Sequence, residues 1–224
     1  MKKIDNKELL KVDNILQKND EVDITDQNFD KLMFLYSAAL SELETKINIL
    51  KEEFKYLYNY ELIDNIQTRL KTPESILNKM KDKHYDYTYE NLIENINDIA
   101  GLRIVCYAKD DIFTINKLIK ALPGLRILKE KDYVTYPKKS GYSSYHIILE
   151  IPVNLSKKTI YVKVEVQIRT IAMDFWANTE HKLKYKPIND SNNKEISKEL
   201  VACAKLINKI DNKMAICYNP IMKN

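Results

Sequence analysis

The segment Thr159–Arg169 alternates Ile160, Val162, Val164, Val166 and Ile168 with Lys163, Glu165, Gln167 and Arg169. In an extended chain these two sets face opposite ways, and the β-branched set suits a packed sheet surface. A strand that aligns a cation, a carboxylate, an amide and a guanidinium either faces water or lines a polar cleft. Two further segments share the design. Ser144, His146 and Glu150 lie opposite Tyr145, Ile147, Leu149 and Ile151, while Asn65, Gln67 and Arg69 share one side of the run Leu62–Leu70. Three such faces argue for one sheet surface acting as the floor of a site. Asp98 stands just before Gly101, at the mouth of an apolar run. Alone it reads as a turn-former. Paired with Glu165 across a sheet, it could hold Mg²⁺, which takes one or two carboxylates and leaves its other positions to water and phosphates. The loop Tyr136–Tyr142 sets Lys138 and Lys139 beside a ring hinged by Gly141. That suits a phosphate contact followed by base stacking, although a solvated turn can have the same composition. His146 reads equally as a structural or a catalytic residue.

Of the 36 cationic residues only Arg69, Arg103, Arg126 and Arg169 are arginines. A lysine-rich chain that keeps a few arginines needs the planar guanidinium there, to grip phosphate or stack on a base. Glycine is equally scarce, at Gly101, Gly124 and Gly141, so neither G-x-x-x-x-G-K-[ST] nor G-x-G-x-x-G can occur. There is no H-E-x-x-H and no His-Asp dipeptide. The net charge of +4 permits an anionic ligand and does not demand nucleic acid; RNA binding is possible but not indicated. Cys106, Cys203 and Cys217 form no C-x-x-C, so neither a disulfide framework nor a zinc knuckle is expected, and a reducing cytoplasm is the expected home. No apolar run reaches the roughly 20 residues of a membrane span, and the first 28 residues hold no signal-peptide core.

These side chains need elements to hold them. Residues 1–28 are polar and predict a short helix with a frayed connection. From Phe29 to Tyr60 the residues Leu32, Leu35, Tyr36, Ala39, Leu43, Ile47, Leu50, Phe54 and Leu57 recur at three- and four-residue steps, giving a long amphipathic helix. A strand over Leu62–Leu70 runs into a helix Pro73–Met80, with Thr72 as N-cap and Pro73 in the first helical position. The Tyr- and Asn-rich stretch Lys83–Asn97 reads as a connection. Beyond it the pattern predicts a strand Leu102–Ala108 and a helix Asp110–Leu122. Strands Leu125–Glu130, Ser144–Val153 and Thr159–Arg169 follow, then a helix Ile171–Tyr185, a polar break Pro187–Lys194 and a helix Glu195–Cys217. The expected fold is α/β (α+β), a mixed, mostly antiparallel sheet of four or five strands with flanking N- and C-terminal helices. At 224 residues it should be one structural domain, divided into a helical extension 1–60, a site-bearing region 61–186 and a C-terminal helix 187–224.

Four runs then converge: Arg69-Leu-Lys71-Thr-Pro-Glu-Ser75-Ile, Asp98-Ile-Ala-Gly-Leu-Arg103, Pro137-Lys-Lys-Ser-Gly-Tyr142-Ser-Ser-Tyr-His146, and Glu165-Val-Gln167-Ile-Arg169-Thr through Phe175-Trp176 and Glu180-His181-Lys182 to Lys186. Their order and content resemble the RelA/SpoT synthetase domain, most closely its stand-alone form, the small alarmone synthetases. The resemblance implies a nucleotidyltransferase-like sheet. It also implies (p)ppGpp synthesis in the stringent response, in which a GTP pyrophosphokinase moves pyrophosphate from ATP to the 3′-hydroxyl of GDP or GTP and releases AMP. By similarity, Arg69 and Arg103 flank adenine, and Lys71, Ser75 and Lys79 hold the ATP phosphates. Asp98 and Glu165 bind Mg²⁺. Lys131, Lys138 and His146 lie by the phosphates, Tyr142 stacks on guanine, and Gln167 and Asp174 belong to the acceptor side. Glu165 is the best placed to take the hydroxyl proton, with His146 and Asp98 beside it in the catalytic set. Two departures stand out: Ser143 follows the stacking tyrosine where relatives often have Arg, and Asp174 replaces a common Asn.

The absent His-Asp motif and the short chain imply a synthetase without hydrolase or regulatory domains. A template-independent nucleotidyltransferase would want Gly-Ser followed by a closely spaced carboxylate pair, which the sequence lacks. A nucleotide- or RNA-binding module without catalysis is opposed by Asp98, Glu165 and Tyr142. The last helix carries a stripe of Ile196, Leu200, Ala204, Ile207, Ile210 and Met214, bordered by Val201 and Cys217. Together with the broad apolar surface of the first helix and the resemblance, it implies a homo-oligomer, a tetramer first.

Overall fold

The computed structural model describes residues 21–184 and 190–218. Most of the expected 1–28 helix lies outside these residues. At its end Glu21 bridges Thr88, and Asp26 caps the first long helix by accepting from the amides of Asn28 and Phe29. That helix, α1 (Gln27–Tyr58), buries Phe29, Leu32, Leu35, Tyr36, Ala39, Leu40, Leu43, Ile47 and Leu50. Leu57, expected on the same stripe, is instead 70% exposed, because the last turn runs past the sheet.

The chain continues as β1 (Asn65–Leu70), α2 (Pro73–Asp82), α3 (Tyr89–Asn95), β2 (Ala100–Cys106), α4 (Lys109–Ala121), β3 (Arg126–Asp132), β4 (Tyr145–Asn154), β5 (Thr159–Thr170), α5 (Ile171–Lys184) and α6 (Asp190–Tyr218). The five strands form one sheet in the order β1-β2-β5-β4-β3, with β2 and β5 parallel and every other pair antiparallel. The α/β fold expectation therefore holds. Two local expectations change. The connection Lys83–Asn97 contains α3, capped by Thr88 and anchored by buried Tyr89 and Leu92. Its Asn-rich surface hid the spacing. The last helix also starts at Asp190, inside the expected polar break.

One face of the sheet is apolar. Leu102, Ile104, Ile147, Leu149, Val164, Val166 and Ile168 are buried, and α1 lies along β1, β2, β4 and β5. Phe113 of α4 meets Tyr145 edge-on. The other face carries the polar set. Its register brings Gln67, Arg103, Gln167, His146 and Lys131 into one row across all five strands. The adjacent row runs Arg69, Gly101, Glu165 and Ile148. Because the side-chain period of a strand is two, this register fixes which residues share the floor.

Candidate active site

Strand β1 delivers Arg69 and Lys71 to the groove, and α2 starts at once. Thr72 accepts from the Ser75 amide at 3.3 Å and donates to the Ser75 hydroxyl at 2.9 Å, while Pro73 opens the helix. This cap fixes the first turn of α2 beside the floor. The groove between α2 and α5 measures about 850 Å³, with Arg69, Lys71, Ser75, Lys79, Arg103, Tyr142 and Gln167 on its walls. An adjoining hollow of about 300 Å³ reaches Asp98, Gly101 and Glu165. Glycine at position 101 leaves the floor low between Arg69 and Glu165.

Two half-buried carboxylates sit at the bottom, each holding positive or donor groups. Asp98 meets Lys71 Nζ at 3.1 Å and Lys79 Nζ at 2.7 Å. Burial pushes its pKa up, but the two ammonium groups prevail and hold it below the usual carboxylate range. Glu165 accepts from His146 Nδ1 at 3.1 Å and from the Gln167 amide at 2.9 Å. Burial and the charge of Asp98 raise its pKa, yet His146 and Gln167 leave it lowered overall. Both groups are therefore ionised at neutral pH.

The acceptor-side candidates gather around Tyr142. Its hydroxyl lies 2.8 Å from His146 Nε2, and Arg169 donates to it at 2.7 Å. With a cation on the phenol oxygen, the phenol proton is directed to Nε2. With Nε2 accepting, the ring carries its proton on Nδ1, toward Glu165. Lys138 sits 4.8 Å from the centre of the Tyr142 ring. Lys131 is exposed on β3, directly opposite His146. Asp174, on the first turn of α5, accepts from Arg103 at 3.3 Å and Arg169 at 3.1 Å, so it stands between the two arginines. Arg103 also donates to Gln67 and Asn178.

All the candidate residues thus collect on one polar face and its rims. The sequence places Arg169 and Ser144 on that face without a task for either, and it gives no sign of Asn78 or Asp82 in the groove. Asn178 was detectable, since it lies one helical turn beyond Asp174 and donates to it at 2.8 Å. The bond of Ser144 to Arg169 was not legible, because Arg169 comes from β5.

Residues 68–190 match the family described as "Region found in RelA / SpoT proteins", a little over half the chain. The chain belongs to the RelA/SpoT family. It is 40% identical over 195 residues to the Bacillus subtilis (strain 168) protein named GTP pyrophosphokinase YwaC, covering 87% of this chain and 92% of that one. With GTP pyrophosphokinase YjbM of the same organism, identity is 35% over 161 residues, 72% of this chain and 75% of that one. The crystal structure of small alarmone synthetase 1 from Bacillus subtilis bound to its product pppGpp superposes with a TM-score of 0.78 at 30% identity, covering 88% of this chain and 99% of that one. The RelA/SpoT match starts inside β1 and ends at the first residue of α6, so it encloses the polar floor from Arg69 onward.

Asp98 and Glu165 fit a hard divalent cation. Asp98 Oδ1 is buried with Lys79 Nζ at 2.7 Å, and a carboxylate oxygen with one such partner keeps a further lone pair for a ligand. No cluster of three or more His, Cys, Asp or Glu able to hold a metal occurs among the described residues. A site with only two protein carboxylates suits an ion whose remaining ligands come from water and phosphate.

Proposed function

We propose that the chain is a (p)ppGpp synthetase, a GTP pyrophosphokinase that transfers the pyrophosphoryl group of ATP to the 3′-oxygen of GDP or GTP and releases AMP. The observation that carries this reading is the joining of a phosphate-holding strand–helix corner (Lys71, Ser75, Lys79) to a carboxylate and imidazole pair on one continuous floor. Family membership and the pppGpp-bound neighbour support it.

The residues divide the work. Arg69 and Arg103 flank the adenine of ATP, and guanidinium planes suit that stacking. Lys71, Lys79, Ser75 and the first amides of α2 take the phosphates, where the helix N-terminus favours anions. ATP therefore draws Lys71 and Lys79 away from Asp98. Asp98 and Glu165 hold Mg²⁺, which supplies charge neutralisation at the transferring group. On the acceptor, the ring of Tyr142 stacks with guanine, Lys131 and Lys138 meet phosphates, and Gln167 with Asp174 completes that side. Glu165 accepts the 3′-hydroxyl proton, oriented by the Nδ1–H of His146. The bond from the 3′-oxygen to the β-phosphorus forms as the α,β-bridging bond breaks. Such transfer relies on alignment and electrostatic support, which this floor provides.

The assembly we infer is a closed homo-oligomer, a tetramer first, built with the 187–224 region and the outer face of the 1–60 extension. Phe34, Ile49 and Tyr56 on α1 and Leu206, Ile210 and Ile216 on α6 are exposed apolar side chains that support it. We place the protein in the cytoplasm on its cysteine usage. Among the described residues no helix is long and apolar enough to cross a membrane. Incubation with ATP, Mg²⁺ and GMP, GDP or GTP in turn tests the function: AMP should form in step with a 3′-pyrophosphorylated guanosine nucleotide. ATP consumption without such a product would refute it.

A further inference from the structure

Arg169 is only 4% exposed, and all three nitrogens of its guanidinium are engaged. Nε donates to Ser144 Oγ at 3.4 Å and Nη1 to Asp174 Oδ1 at 3.1 Å. Nη2 donates to Gln167 Oε1 and to the Tyr142 hydroxyl, both at 2.7 Å. The fork is planar and rigid, so fixing any of its partners restricts the others. The same Asp174 oxygen faces Arg103 Nη1 at 3.3 Å. Two guanidinium groups are thus brought together on one carboxylate, and Arg169 is among the charges that lower the pKa of Arg103, after burial. Without the carboxylate the two cations would repel.

An unbroken line of contacts follows. Arg103 is joined through Asp174 to Arg169, Arg169 to Tyr142, Tyr142 to His146 and His146 to Glu165. We propose that Arg169 and Asp174 are positioning residues that couple the donor and acceptor nucleotide subsites, so that a base ordered against Arg103 also sets the ring of Tyr142. The proposal rests on the synthetase reading, which assigns Arg103 to the donor and Tyr142 to the acceptor. Neither positioning residue need touch the reacting atoms. Asp174 anchors Arg103 through its carboxylate, and Arg169 lies over Tyr142, with its guanidinium carbon 5.2 Å from the ring centre. A donor that holds Arg103 still also holds the carboxylate joint. The acceptor then meets a ring and an imidazole already in place, which is positive coupling between sites.

Calorimetry of GDP binding, with and without saturating α,β-methylene ATP in the presence of Mg²⁺, tests this. In the unaltered protein the analogue should tighten GDP binding by about fivefold or more, the lower range of ordinary coupling. Asp174→Asn keeps the shape and removes the charge, and Arg169→Lys keeps the charge and removes the fork. Both should reduce the tightening to within about twofold. Arg169→Lys should also raise the KM for the acceptor more than that for ATP. Thermal melting reports whether each variant is folded, and one folded variant is enough for the comparison. Full coupling in folded Asp174→Asn or Arg169→Lys, or none in the unaltered protein, overturns the proposal. An unaltered protein that binds neither nucleotide instead overturns the synthetase reading on which the coupling depends.

Discussion

Lys71, Ser75 and Lys79 enter the groove from a strand end and the opening turns of a capped helix, whereas Tyr142 enters from the loop between β3 and β4. The first corner is set by one bond close in sequence, the Ser75 amide to Thr72, and one to the stretch leading into β2, the Lys71 amide to the Ile99 carbonyl. The loop has local support in a turn, Gly141 to Lys138 and Lys138 to Tyr142, but its back rests on a distant helix. A Cβ at Gly141 would stand 2.5 Å from Ala204 Cβ on α6, and the φ of Gly141 is +93°. The helix start that presents Ser75 and Lys79 is therefore encoded by its own cap. The acceptor half depends on how the last helix seats.

The largest effect should strike where the two halves meet. Asp98→Asn and Glu165→Gln each remove a charge without changing shape and should lower turnover by about a thousandfold or more, while melting temperatures stay near the parent's. Substantial Mg²⁺-dependent turnover in both variants would remove the carboxylates from the mechanism.

Gly141→Ala comes next, because it meets both a positive φ and the Ala204 side chain. A left-handed residue with a Cβ costs about 1–2 kcal/mol, and overpacking typically costs a further 1–3 kcal/mol. Adding Ala204→Gly should recover the packing part alone. If Gly141→Ala were as stable as the parent, α6 would not brace the loop. Tyr142→Ala removes the ring itself and should weaken acceptor binding by about 1–3 kcal/mol, the usual value of base stacking. A change confined to ATP affinity would move Tyr142 to the donor half.

Thr72→Ala should lower stability by about 1 kcal/mol through loss of the cap and raise the KM for ATP more than that for the acceptor. Acid titration gives the mildest contrast. Asp98 and Glu165 have depressed pKa values when folded, so their stabilising contribution is present above the unfolded values of 3.8 and 4.5 and is lost as the pH falls through the folded ones. Denaturant midpoints measured from pH 6 to pH 3 should fall less steeply in Glu165→Gln than in the parent.

The same contrast explains what the sequence made legible. Alternation along β5, β4 and β1 revealed the polar floor, because a strand's period fixes its faces whatever the neighbours are. Thr72 and Pro73 marked the start of α2 for the same local reason. Strand order did not follow from pattern, since the parallel pairing of β2 with β5 joins segments more than 50 residues apart. Nor did the task of Arg169, whose partners Ser144 and Tyr142 come from the loop that leads into the neighbouring strand β4. On α6 the stripe read as an assembly surface leaves Ile210 and Met214 exposed, while the residue buried against the rest of the chain is Asp211, a polar latch that accepts from Thr170 at 2.8 Å and that the apolar spacing did not reveal.

The central claim is that one floor carries a pyrophosphoryl group from ATP to a guanosine 3′-oxygen. Parallel reactions with ATP labelled at the β-phosphorus and at the α-phosphorus, each with GDP and Mg²⁺, test it directly. The account predicts that β-label moves into the guanosine product while α-label leaves as AMP. Label from the α-phosphorus in a product chain, with pyrophosphate released, would contradict it.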